Sequence, residues 1–462
     1  MDAATLFRTA CEARRVQDIE SAVEAIDVAQ KLAPVDPQIA AARATLHYES
    51  WRPASALFAR AVALNPQELE LRRNQALALQ SEGDGQGAQA LLENELRGRP
   101  DWVDGHATLS RIRQTSGEAG NHDRSFAEAC AAPDAPLALY LAWFHNAAIA
   151  KSWGKVRSIL ESAERAFPDQ PALRVAQFYS AGETGDDTSA EAILAEIAFV
   201  TDPGFDLCRV RFHLRRGQWA EAERCARRHI GTPAGAMFWP YLSLIWRLTD
   251  NPLAAWLDGA PPHLAVLDLS FTQSQLTDLA DVLRRLHILQ APYPEQSVRG
   301  GTQTDRPLFF HPEPVVQAAR RMIMDAVRGY VDALPPQDPR HPFFAPDRPE
   351  LLLDGSWSVR LTGKGFHASH THVNGWISSA FYVALPGHPG PPHAGHFALG
   401  TPPPELGLDL RAYCTVAPKP GRLVLFPSTM WHSTIPFDAG ERLTIAFDIK
   451  RPLISCSRRN VQ

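Results

Sequence analysis

Three histidines stand within six residues, at His367, His370 and His372, and Asn374 follows closely. In an extended segment, side chains two apart point to the same face, so His370 and His372 can reach one ion together. His367 has the opposite parity and is the poorest ligand candidate of the three. Imidazole nitrogen suits zinc, copper, iron and nickel, but surface loops collect histidines too, so this cluster alone decides nothing. A second signal is Gly421-Arg-Leu-Val-Leu-Phe-Pro-Ser-Thr-Met-Trp-His432, a short apolar strand ending in a loop with one histidine. Taken singly, such a histidine is more often a hydrogen-bonded structural group. The third signal is Glu441-Arg-Leu-Thr-Ile-Ala-Phe-Asp-Ile449. Leu443, Ile445, Phe447 and Ile449 form one apolar face, and Arg442 and Thr444 lie on the other. An arginine on the inner face of a small barrel is a buried charge, costly unless an anion meets it. Its planar fork fits a carboxylate. A rim arginine paired with Glu441 or Asp438 is the ordinary alternative.

Strands must bring these groups together. Runs of strand composition occur at 357–361, 376–385, 422–426 and 442–449, separated by Gly- and Pro-rich breaks such as 386–404. Many short strands with turn signals predict a β-sandwich or barrel. His432 and Arg442 are ten residues apart, so a hairpin near Phe437 would set them on adjacent strands. A metal at His432 would then lie near a carboxylate-binding arginine, a geometry for a small dianion that chelates the metal and is clamped at its far end. A strand continuing from His372 would carry Asn374, Trp376, Ser378 and Tyr382 on the same face, unless Gly375 introduces a bulge. The loop with His388, His393 and His396 is a rival cluster, read here as a connection at the substrate side.

The first half has a different grammar. Alanine, leucine, arginine and glutamate dominate, and strand-like alternation is scarce. Helix-ending prolines recur at Pro34, Pro66, Pro100, Pro133, Pro168 and Pro203, between 32 and 35 residues apart. A proline beyond a helix stops it, because it lacks an N–H and restrains the residue before it. Small and large residues precede these stops where packed helices need them: Ala54, Phe58 and Ala61; Ala88 and Leu92; Leu160 and Ala163. The segment from Gly217 through Trp219 to Ala222 reads as a further turn and second helix. The period resembles that of tetratricopeptide helix–turn–helix repeats over roughly residues 1–250. One more amphipathic helix is expected at 273–289.

In its second half the chain resembles the 2-oxoglutarate/iron(II) oxygenases of the prolyl-hydroxylase-like branch. The resemblance rests on His370-x-His372, Ile377-Ser-Ser-Ala-Phe-Tyr-Val, Gly421-Arg-Leu-Val-Leu-Phe-Pro-Ser, His432 and Glu441-Arg-Leu-Thr444, with Gln296-to-Thr304 as an opening segment. It implies a multidomain chain: an all-α tetratricopeptide-like solenoid at 1–255, then a double-stranded β-helix (jelly roll) with flanking helices at 265–462. It implies Fe(II) held by His370 and His432, with 2-oxoglutarate and O2 as cosubstrates. Arg442 would bind the distal carboxylate of 2-oxoglutarate and Thr444 would assist. The cosubstrate would be decarboxylated to succinate while a C–H bond of the main substrate is hydroxylated. The broader superfamily has His-x-Asp or His-x-Glu where this chain has His372. Three neutral imidazoles would leave the site one charge more positive. His372 is nevertheless assigned as the third ligand from its shared parity, and Tyr382 and Ser378 as pocket-lining residues.

Composition excludes some partners. A net charge of −5 and a pI near 6.4 offer no electrostatic case for nucleic acid. No apolar run approaches the ~18 residues that span a bilayer, and the opening residues lack a leader-like apolar core, so a cytoplasmic protein is expected. Six cysteines, Cys456 among them, show no short pairing and read as reduced thiols. Repeat arrays offer concave surfaces for peptides and proteins, so a protein or peptide substrate recruited by the repeats leads, with a small molecule open. Two other classes compete: a cupin-like three-histidine metalloenzyme that does not use 2-oxoglutarate, and a silent repeat scaffold.

Overall fold

The computed structural model describes residues 1–452, except 119, 260–261, 345–347, 349 and 389; Cys456 lies outside the described residues. Antiparallel helix pairs begin at Ala3–Arg15 and Ile19–Leu32 and continue through Pro203–Arg215 and Trp219–Arg227. Within each pair the chain turns through a residue of positive φ, at 17, 51, 83, 117, 151, 185 and 217. These lie 32 or 34 residues apart, the same period the prolines mark between pairs. A left-handed residue closes a helix by directing the next N–H groups back to its last carbonyls. At the first turn Gln17 N–H donates to Arg14 O and Asp18 N–H to Ala13 O. Aspartates then cap the second helix of a pair, as Asp18, Asp84 and Asp186 do, and Asp36 and Asp202 cap first helices in the same way. The small and large residues before the prolines are all buried, Ala61, Ala88, Leu92 and Ala163 completely.

Compactness groups the chain differently from element type. One unit comprises residues 1–176 with 287–296 and 305–313; the other comprises 177–286, 297–304 and 314–462. In the first unit, the earlier helix of successive pairs holds two stretches from the second half of the sequence. Phe310 packs against the cluster of Leu6, Ile26 and Ile39. Trp51, itself in the strained left-handed region, donates from Nε1 to Pro307 O at 2.8 Å. Its ring lies 4.0 Å from the Arg306 guanidinium, while Tyr48 donates to Asp305 at 3.2 Å. Further along, Arg111 covers the Tyr293 ring and pairs with Glu295.

In the second unit the last helices pack against a two-sheet domain. The larger sheet is wholly antiparallel, ordered β1 (Ala265–Asp268), β7 (Arg422–Pro427), β4 (Gly375–Ala384), β9 (Glu441–Lys450), β3 (Leu353–His367) and β2 (Val298–Gln303). The smaller sheet is ordered β6 (Cys414–Val416), β5 (Phe397–Leu399) and β8 (His432–Thr434). Their inner faces meet where Tyr382, Val424 and Phe426 pack with Phe397, Leu399 and Val416. This is the expected double-stranded β-helix. The expected helix is present at Gln273–Leu286, and a second, Pro314–Asp332, joins it.

Two expectations are corrected. His432 and Arg442 are not hairpin neighbours: β8 belongs to the smaller sheet and β9 to the larger, so the chain crosses between sheets around Phe437. Nor does one strand run from His370 to Tyr382. His370 makes an isolated bridge to His432, a turn at 373–374 intervenes, and the β4 register shifts between Gly375 and Ile377. A side chain at Gly375 would place a Cβ 2.5 Å from Ser428 Oγ, so the close approach there requires glycine.

Below the larger sheet lies a buried pair, His263 and His341, with Nε2 atoms 3.3 Å apart. His341 Nδ1 accepts the Phe343 and Phe344 N–H groups, and burial drives its pKa down to about 4. An unfolded histidine takes its proton near pH 6.5. Between about 6.5 and 4 the unfolded chain therefore binds the extra proton, and stability falls as pH falls through that window. Unfolding free energies from urea titrations across it should show a slope shallower by about 1.4 kcal/mol per pH unit in His341→Gln than in wild type. Identical slopes would contradict this.

Candidate metal centre

The three histidines come from two segments, His370 and His372 from the stretch before β4 and His432 from β8. His370 and His432 exchange backbone hydrogen bonds at 3.1 and 3.0 Å, which seats their side chains together. His372 N–H donates to Ser428 O at 2.8 Å, tying the third ring to the turn after β7. Ring centroids lie 4.1 Å apart for His370 and His432, and 5.0 Å for each of these with His372. One ring nitrogen from each falls within 4.8 Å of the others, and this is the metal-competent cluster among the described residues.

The rings are oriented by what their Nδ1 atoms meet. His370 Nδ1 lies 2.8 Å from Ala368 O, His432 Nδ1 3.0 Å from Met430 O, and His372 Nδ1 2.8 Å from both oxygens of Asp448. Carbonyl and carboxylate oxygens only accept, so each Nδ1 carries the proton and each Nε2 presents a lone pair. Burial first, then the neighbouring imidazoles, hold the pKa values of His370 and His432 well below the ordinary range. Both rings are therefore neutral, as ligands must be. Ser297 reaches His370 Nε2 at 3.1 Å, and the Phe397 and Phe426 rings flank His432. Behind it, Trp431 donates to Pro240 O and its ring meets Tyr241 edge-on, which anchors the histidine to helix Trp239–Leu248.

The remaining expected residues share the inner face of β4 and β9, where Tyr382 stands opposite Thr444 and Ser378 opposite Asp448. Arg442, at 2% exposure, has its guanidinium 5.0 Å from the Tyr382 ring and donates to Gly395 O at 3.2 Å. Arg442 Nε and the Tyr382 hydroxyl have no hydrogen-bond partner among the described residues. A buried cation this poorly matched requires an anion, so the residues present fit a carboxylate ligand. The Ser378 hydroxyl, by contrast, is engaged with Asp448 at 2.6 Å, Ser428 at 2.9 Å and His372 at 3.2 Å. Its neighbours are those of the metal cluster.

Two participants escape the sequence reading. Asp448 has the parity of Arg442 and Thr444, a signal available in the strand itself. Ser297 had none. His367 stands outside the metal cluster, as its parity predicts, and is half-buried with Nδ1 3.0 Å from Thr434 Oγ1. Burial, and then Arg442, bring its pKa down to about 3. His393 and His396 lie together in the connection leading into β5, apart from this cluster.

The domain thus combines three convergent imidazoles that could hold a metal ion with a buried arginine suited to an anion. Residues 355–448 match the family model described as "Putative 2OG-Fe(II) oxygenase". That match lies in the two-sheet part of the chain, and the cofactors of the family it describes are Fe(II), 2-oxoglutarate and O2. No curated protein matches. Among solved structures, a prolyl-4-hydroxylase from Pseudomonas putida is 16% identical over 41% of this chain and 94% of its own, with TM-score 0.29. HygX from Streptomyces hygroscopicus, solved with nickel and 2-oxoglutarate, is 13% identical over 44% and 86%, with TM-score 0.29. A tetratricopeptide repeat protein from Parabacteroides merdae is 12% identical over 54% and 98%, with TM-score 0.33. No helix among the described residues is long and apolar enough to cross a membrane.

Proposed function

We propose that the chain is an Fe(II)- and 2-oxoglutarate-dependent hydroxylase, with an oxygenase domain at 265–462 served by the repeats at 1–255. His370, His372 and His432 hold the metal through their Nε2 atoms. When bound, iron with 2-oxoglutarate and O2 supplies a two-electron oxidation that yields succinate and CO2 and puts one oxygen atom into a substrate C–H bond. Arg442 grips the distal carboxylate of the cosubstrate, and Tyr382 and Thr444 line its seat. Phe397 and Phe426 keep water from the His432 side.

The observation that carries this reading is the buried Arg442 with an unpartnered Nε on the face that also bears the histidine network. A cupin-like enzyme without 2-oxoglutarate would give that guanidinium no purpose. A protein or peptide substrate is favoured by the repeat surface, although the earlier helices of the first pairs already carry residues 287–296 and 305–313 of this chain. A recruited segment must therefore use surface beyond those stretches. The test is succinate release by purified, iron-loaded protein given 2-oxoglutarate and O2, with and without candidate peptides. Stimulated succinate with a 16 Da mass gain on a peptide is the expected result. Iron-replete protein that releases none, under any substrate, would contradict the reading.

A further inference from the structure

The three imidazoles are held differently, and the difference is one of charge. His370 and His432 give their Nδ1 protons to neutral carbonyls, whereas His372 gives its proton to both oxygens of Asp448. Asp448 is 7% exposed, and no lysine or arginine pairs with it among the described residues; the ring it meets is that of His372. Ser378 donates to the same carboxylate at 2.6 Å and fixes its orientation. A buried carboxylate without a cation is costly, and the nearest route to a compensating positive charge runs through the His372 ring.

We infer that Asp448 is a positioning residue that supplies, one shell out, the negative charge that a ligand carboxylate would supply directly. This rests on the metal reading above. An acceptor on the non-ligating nitrogen fixes the tautomer and ring plane, and an anionic one raises the basicity of the ligating nitrogen. A divalent ion on three neutral imidazoles, with Asp448 beside them, has the same overall charge as one on two imidazoles and a carboxylate. The charge is displaced rather than lost. Ser378 then acts through Asp448, consistent with its hydroxyl being engaged there.

The test compares full-length wild type, Asp448→Asn and Asp448→Ala in anaerobic titrations with Fe(II) and with Co(II), whose visible bands report ligand geometry. Asparagine keeps an acceptor for Nδ1 but removes the charge. It should weaken metal binding about 10- to 100-fold, raise the ferric/ferrous potential, and leave thermal unfolding of the metal-free protein unchanged. Alanine should weaken binding further and alter the Co(II) spectrum. If wild type binds both ions and Asp448→Asn matches it in affinity and potential, the assignment is overturned while the metal site stands. Wild type that binds neither ion would overturn the metal reading, and this assignment with it.

Discussion

Replacing Arg442 with methionine should abolish productive use of 2-oxoglutarate while leaving the fold as stable as before, or more so. The guanidinium is 2% exposed, with one carbonyl partner and an orphaned Nε. Two charge-assisted hydrogen bonds to a carboxylate are worth roughly 3–6 kcal/mol, so 2-oxoglutarate affinity should fall by about 10²–10⁴-fold. An apolar side chain of similar volume removes an uncompensated buried charge, a change that is often neutral or stabilising. The pairing of outcomes is diagnostic. Isothermal titration with 2-oxoglutarate in the metal-loaded protein measures the first effect, and chemical denaturation of the ligand-free protein measures the second. A destabilised variant with unchanged cosubstrate affinity would mean that Arg442 is a structural residue.

The second large effect is expected at His432. Alanine there should reduce Fe(II) affinity by about 10²–10³-fold, the order expected when one of a few ligands that together contribute ~10–16 kcal/mol is lost. Succinate production should vanish with it. The ring also fills space against Phe397 and Phe426 and satisfies Met430 O. Its removal should therefore cost the metal-free protein about 2–4 kcal/mol as well. Metal analysis on folded protein, verified by circular dichroism, separates the two losses. Full iron occupancy in folded His432→Ala protein would remove His432 from the ligand set.

Much of this was legible in the residues because two periodicities were clean. Helix-stopping prolines about 34 residues apart mark the repeats, and the structure adds left-handed turn residues with the same spacing. Of those, only the glycines announce themselves; Gln17, Trp51 and Lys151 adopt the conformation without a glycine. Helix Pro314–Asp332 is not among the expected elements, though Val316, Ala319, Ile323 and Val327 follow a helical face. Strands β4, β7 and β9 were visible as long apolar runs. Strands β5, β6 and β8 have three residues each and carry too little pattern to recognise.

At the site, residue identity was legible and path was not. Ten residues between His432 and Arg442 fit a hairpin as well as a crossing between sheets, because spacing alone does not say which strand is the partner. His370 and His372 converge as parity suggested, although a bridge and a turn bring them there rather than a regular strand. Asp448 lies near the end of an apolar strand, where an acid ordinarily faces water. Only the cross-strand register opposite Ser378 places it beneath His372.

The most direct test of the metal and cosubstrate site is an anaerobic titration of the full chain with Fe(II), then 2-oxoglutarate, followed in the visible spectrum. The arrangement of His370, His372, His432 and Arg442 predicts a charge-transfer band that appears only with both present and saturates at one equivalent per chain. Iron bound tightly with no such band on adding 2-oxoglutarate would contradict it.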